Sequence, residues 1–64
     1  MSRIKELREQ KNLSQNSLAV LLGVTQGAVH QWESGITKPR ANILIKISNI
    51  FGCTIDDLFD EERK

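Results

Sequence analysis

Residues 15–34, QNSLAVLLGVTQGAVHQWES, decide the fold. Ser14 precedes them, and its hydroxyl can cap a free backbone N–H at the start of a helix over about Gln15–Leu22. Gly23 follows, a residue for which positive φ carries no steric penalty, so the chain can turn sharply there. Val24 then heads back toward the interior, and Thr25 can cap a second helix over about Gln26–Ser34. Ala19 is small where the two helices would cross, so their backbones can approach closely. Wound at about 100° per residue, the second helix separates into two faces. Gln26, Gly27, His30, Gln31 and Ser34 fall within an arc of about 140°, and Ala28, Val29, Trp32 and Glu33 fill the other side. The second group is apolar apart from one acid. The first carries amides, an imidazole, a hydroxyl and a glycine, without a charge at neutral pH. Base edges in a DNA groove offer hydrogen-bond donors and acceptors, and such a face matches them.

Two short helices in this relation, the second with an uncharged polar face, form a DNA-binding helix-turn-helix with Gln26–Ser34 as recognition helix. Residues 13–35, LSQNSLAVLLGVTQGAVHQWESG, also resemble the Cro/repressor-type helix-turn-helix family, often called the xenobiotic-response-element (XRE) family. Its pattern runs roughly L-S-Q-x-x-L-A-x-x-L-G-V-(S/T)-Q-x-x-(V/I)-x-x-W-E-x-G. Leu13, Ser14, Gln15, Leu18, Ala19, Leu22, Gly23, Val24, Thr25, Gln26, Val29, Trp32, Glu33 and Gly35 match it. The likeness continues through Pro39, Leu44, Lys46, Ile47, Phe51 and Gly52 to Asp57 and Leu58, nearly the whole chain. The resemblance implies an all-α, compact five-helix, lambda-repressor-like DNA-binding domain with the helix-turn-helix at helices 2 and 3.

The remaining segments read as helices punctuated by glycine and proline, with nothing alternating at period two. Ser2 can cap a helix of about Arg3–Lys11, whose buried seam is Ile4 and Leu7; Asn12 and Leu13 link it onward, Leu13 as a plug under the bundle. Gly35 closes the recognition helix, and residues 36–40 form a loop with Lys38 and Arg40 around Pro39. A fourth helix, from Arg40 or Ala41 to Phe51, places Ile43, Leu44, Ile47, Ser48, Ile50 and Phe51 on a broad buried arc, with Ile45 outside it. Gly52 ends that helix. Thr54 to Asp57 resembles a capping box with an acid at its last position, opening a short helix with Ile55, Leu58 and Phe59 on its apolar side; residues 60–64 are expected to fray.

Sixty-four residues are expected to make one domain, 1–64, with one small core. A single cysteine, Cys53, allows no internal disulfide, and its bland reading is a small semi-buried residue in a reducing cytosol. No apolar run reaches the length of a membrane span and no signal-peptide pattern is present, so a cytoplasmic location is expected. The net charge of +1 is unevenly spread. Residues 1–46 hold seven Lys and Arg against three acids, and residues 47–64 hold two against five. The basic part carries the helix-turn-helix, and the acidic end is expected to face away from phosphate.

Family correspondence puts base-edge contacts at Gln26, Gly27, His30 and Gln31. Gln26 leads into the groove at the helix N-terminus, where its amide can pair bidentately with adenine. Gly27 either lets the backbone approach a base pair closely or marks a contact that relatives make and this chain lacks. Phosphate contacts are expected at Ser14, Gln15 and Asn16, at the start of the second helix, and at Ser34, Lys38 and Arg40 on the other flank. The resemblance further implies a buried ion pair between Arg8 and Glu33; an acid on an apolar helix face needs a partner in any case. Trp32 shares a face with Val29 and reads as core. His30 and Glu33 stand three apart but face opposite ways, so no metal or other cofactor is expected. No phosphate loop, carboxylate pair or nucleophile–base set points to an enzyme.

These readings lead to a sequence-specific transcriptional regulator, a repressor binding a two-fold operator in double-stranded DNA as a homodimer through the major groove. The competing reading is an antitoxin or protein-binding adaptor that keeps the fold to hold a protein partner. A chain of this length leaves no room for a separate ligand domain, so a signal is expected to act through a partner, dilution or degradation. Ile36, Ile45 and Phe59 are candidates for a self-complementary dimer patch, the alternative being that Ile36 and Phe59 close the core and Ile45 alone is exposed.

Overall fold

Ser14 and Thr25 each accept a backbone N–H with their hydroxyl oxygen, Ser14 from Ser17 and Thr25 from Ala28, and so start the two central helices. In the computed structural model, which describes residues 2–58, five α-helices follow one another: α1 (Ser2–Gln10), α2 (Gln15–Leu22), α3 (Gln26–Ser34), α4 (Ala41–Phe51) and α5 (Ile55–Leu58). The fold is all-helical, as expected. The first helix begins one residue earlier than predicted and takes in Ser2, whose expected role was to cap it. It ends at Gln10 because Asn12 turns to φ 57°, and the N–H groups of Asn12 and Leu13 return to the carbonyls of Glu9 and Arg8. Asparagine is one of the few non-glycine residues that tolerate this conformation.

The turn between α2 and α3 rests on Gly23 at φ 72°. Its N–H closes on Val20 and that of Val24 reaches back to Ala19 at 3.0 Å, so these two end carbonyls are satisfied and the chain reverses at once into Thr25. The α2 helix packs chiefly on α3, α1 lies against α3 as well, and α4 packs on α2 and α5. The core draws on every helix. Ile4 and Leu7 come from α1, Leu18, Ala19 and Leu22 from α2, Val29 and Trp32 from α3, Ile47 and Phe51 from α4, and Leu58 from α5. Leu13, Val24, Ile43, Leu44 and Ile50 are half-buried around it.

One expectation about burial changes, and one apolar pair is left outside the core. Ile55 was placed on the apolar side of the last helix, yet it is exposed, because in a helix of four residues only Leu58 reaches the core. Val20 and Leu21 stand out from α2 at 71% and 56% exposure, since only Leu18, Ala19 and Leu22 of that apolar run face inward. The capping box at α5 is reciprocal: Asp57 N–H donates to Thr54 Oγ1 and Thr54 N–H to Asp57 Oδ2, each at 3.1 Å. Phe59 and residues 60–64 lie outside the described residues, and so does the predicted fraying of that end.

Candidate nucleic-acid interface

The orientation of α3 follows from what it buries. Val29 is fully enclosed and Trp32 nearly so, with Ala28 half-buried beside them. That leaves Gln26, Gly27, His30, Gln31 and Ser34 together on the exposed side of one helix. Gly27 has an ordinary helical backbone, and a Cβ built there would meet only Thr25 Oγ1 at 3.9 Å, an ordinary contact. Packing therefore does not demand glycine, although glycine costs about 1 kcal/mol of helix propensity relative to alanine.

Behind this face lies a buried polar chain. Arg8 Nε donates to Glu33 Oε2 at 2.8 Å and Arg8 Nη2 to Glu33 Oε1 at 3.1 Å, a bidentate pair joining α1 to α3. The two side chains are 10% and 4% exposed. Arg8 Nη1 also donates to the Leu13 carbonyl at 2.7 Å, tying the α1–α2 link to the same guanidinium. Burial alone would push the Glu33 pKa up, but the hydrogen bonds from Arg8 and Gln15, with the charges of Arg8 and Lys5, outweigh it and hold the carboxyl below its ordinary range. The Arg8 pKa is raised, first by its hydrogen bond to Glu33, against the opposing effect of burial.

Gln15 extends the chain to the surface. Its Nε2 donates to Glu33 Oε1 at 3.0 Å, and its Oε1 accepts from Gln26 Nε2 at 3.3 Å. The polarity is dictated from inside. An ionised carboxylate can only accept, so Gln15 must turn its NH2 group to Glu33 and its carbonyl to Gln26. Gln26 must then donate through Nε2, which keeps a second N–H, while its Oε1 is left to accept. Those are the two groups that a bidentate contact with adenine uses. The sequence reading placed Gln15 among the phosphate contacts and missed this bridging place. The sequence holds only part of the signal, an acid on the apolar side of α3 that needs a partner; that Gln15 reaches it depends on how α2 packs on α3.

The flanks are arranged as follows. Ser14 accepts from Ser17 N–H and donates its own proton to Ser17 Oγ, both at 2.9 Å, so its hydroxyl serves the cap. Asn16 is exposed in the first turn of α2. Across the recognition helix, Ser34, Lys38 and Arg40 are exposed, and the loop that carries the two cations is anchored by buried Pro39. Lys38 and Arg40 share an open cleft with Val24, Ala28 and Trp32, which sets them along the flank of α3. Ile36 and Ile45 are exposed, and Phe59 lies outside the described residues. His30 faces outward and the Glu33 carboxylate inward; among the described residues no group of three or more His, Cys, Asp or Glu could hold a metal. No helix among them is long and apolar enough to cross a membrane.

Comparison with known proteins agrees with the helix-turn-helix assignment. The sequence model of the helix-turn-helix family matches residues 4–58. The HTH-type transcriptional activator BcrR of Enterococcus faecalis is 42% identical over 61 residues, covering 95% of this chain and 30% of the relative. The HTH-type transcriptional regulator AnsR of Bacillus subtilis is 33% identical over 64 residues, covering all of this chain and 55% of the relative. An uncharacterized HTH-type transcriptional regulator of Archaeoglobus fulgidus is 36% identical over 64 residues, covering 97% of this chain and 90% of the relative. The chain thus spans about a third to a half of the first two relatives and most of the third. No solved structure gives a significant match.

Proposed function

The chain belongs to the Cro/XRE-type helix-turn-helix family, and on that premise we propose that it is a DNA-binding regulator of transcription, a repressor that occupies a two-fold operator as a homodimer. Like its family and the regulators it resembles, it is not an enzyme. The observation that carries the DNA reading is the uncharged exposed row Gln26, Gly27, His30 and Gln31, with Gln26 oriented from behind through Gln15 and Glu33. Gln26 reads a base edge, His30 and Gln31 extend the readout along α3, and Gly27 lets the helix lie close to the pairs. Asn16, with the backbone amides at the start of α2 around Ser14 and Gln15, holds one phosphate strand. Ser34, Lys38 and Arg40 hold the other flank.

Size supports two copies. The molecule measures 29 × 24 × 22 Å, whereas successive major grooves on one face of DNA recur at about 34 Å, so one copy presents its single recognition helix to one half-site. Exposed Ile36 and Ile45 are the apolar side chains on which a partner copy would close. Selection from random double-stranded DNA tests the proposal: a recovered palindrome with half-sites about one helical turn apart supports it, and no enrichment overturns it. The exposed pair Val20 and Leu21 favours a second reading, an antitoxin or adaptor that grips a protein partner. That reading predicts a stable protein complex; an antitoxin would keep DNA binding beside it, and an adaptor would fail the DNA selection.

A further inference from the structure

The cleft between the flank of α3 and the start of α4 takes no part in the reading face, and its two sides differ in chemistry. Its floor is apolar, made by half-buried Val24, Ala28 and Ile43 with Trp32 behind them. Its rim carries Lys38, Arg40 and Asn42, all exposed. The Arg40 guanidinium has no ion-pair or hydrogen-bond partner among the described residues, while the Arg40 carbonyl accepts from the Ile43 and Leu44 N–H groups at the N-cap of α4, which no side chain caps. The cleft measures about 340 Å³, at the lower end of the range of about 300–1,000 Å³ typical of small-molecule sites.

We infer that this cleft binds a small aromatic carboxylate, its ring on Trp32, Ala28 and Ile43 and its carboxylate between Arg40 and Asn42. Each half of the site excludes a simpler occupant. A bare inorganic anion would satisfy Arg40 but leave three half-buried apolar side chains in water. A neutral hydrocarbon would cover the floor but offer the guanidinium no acceptor, and a guanidinium matches a carboxylate in bidentate geometry. A ring over this floor also gains contact with the Trp32 indole. The site lies within the helical bundle, so a small ligand seated there would act on the DNA-binding fold directly. One consequence rests on the DNA reading above. Lys38 and Arg40 are the cations assigned to phosphate, so a carboxylate seated among them competes with DNA, and each ligand weakens the other reciprocally.

Phenylacetate titrated into the 64-residue chain without DNA tests the site. The readouts are the NMR shifts of the Trp32 indole N–H and of the Ala28 and Ile43 methyl groups. The expected result is saturable shifts at all three, with the neutral isostere phenylacetamide about tenfold weaker, as loss of a charge-assisted bond implies. Arg40→Gln, checked for native fold by circular dichroism, weakens phenylacetate to a similar degree, and Ala28→Leu, which fills the floor, abolishes it. Shifts that do not saturate, equal affinity for phenylacetamide, or Arg40→Gln binding as well as the native chain would each overturn the site. So would inorganic phosphate producing the same methyl shifts. On a selected operator, phenylacetate lowers affinity and phenylacetamide does not; operator affinity unchanged at saturating phenylacetate overturns the competition. Failure to select any operator counts against the DNA reading alone, because the titration is made without DNA.

Discussion

Gln15 Oε1 accepts the Nε2–H of Gln26 at 3.3 Å, so the first residue of the recognition helix is oriented by the first residue of the helix before it. Gln15 is itself turned by Glu33, to which its Nε2 donates at 3.0 Å, and Glu33 is held by Arg8. Orientation of a surface amide thus begins at a buried charge. Replacing Gln26 with alanine should weaken the selected site by about 1–3 kcal/mol and leave unrelated DNA nearly unaffected. Gln15→Leu should lose part of the same specificity, and the double variant should lose less than the sum, measured by gel shift as a double-mutant cycle. Additive losses would show that the two amides act independently.

The Arg8–Glu33 pair is both buried and bidentate, so removing one member leaves the other charge stranded. Arg8→Ala and Glu33→Ala should each destabilise the fold by about 3–5 kcal/mol in urea denaturation. That is a large share of the stability of a domain this small. Variants that melt within a degree or two of the native chain would mean that the pair contributes little.

Acid should act through the same carboxylate. The Glu33 pKa is lowered in the folded chain, so its stabilisation is fully present above its unfolded value of about 4.3 and is lost as the pH falls through the lower folded value. Thermal midpoints recorded from neutral pH downward should hold until the carboxylate range and then fall. Glu33→Gln, already less stable at neutral pH, should show a flatter profile there; an identical acid limb would assign the transition to other carboxylates.

The loop cations should behave differently from the reading face. Lys38→Ala or Arg40→Ala should lower affinity for selected and unrelated DNA alike, and should reduce the salt slope of binding by about one unit. A loss confined to the selected sequence would mean that these side chains read bases.

Ile45 on α4 and Ile36 in the preceding loop are exposed at 51% and 68%. Lone exposed apolar residues are ordinary, so the dimer patch needs a direct test. Ile45→Lys with Ile36→Ser should shift sedimentation toward the monomer and should weaken binding to a full operator far more than to a half-site. A folded double variant that remains dimeric and tight on the full operator would move the interface to other residues, with α1 next to be examined.

Much of the helix-turn-helix was legible in local chemistry. Ser14, Thr25, Gly23 and Gly35 act on backbone groups within a few residues of themselves, so caps and turns can be read without knowing what packs where. The two faces of α3 follow from helical period alone, which puts Val29 and Trp32 opposite Gln26 and His30. Tertiary structure decided what lies beyond one helix. The exposure of Val20 and Leu21 depends on which part of an apolar run meets α3 and α4, and a run of LAVLL does not say. The exposure of Ile55 depends on how far a four-residue helix reaches over the core. The bridging place of Gln15 arises because the folded chain brings residues 8, 15, 26 and 33 within hydrogen-bond reach of one another. Hydrogen bonds across helices depend on distances that no single helix's periodicity encodes.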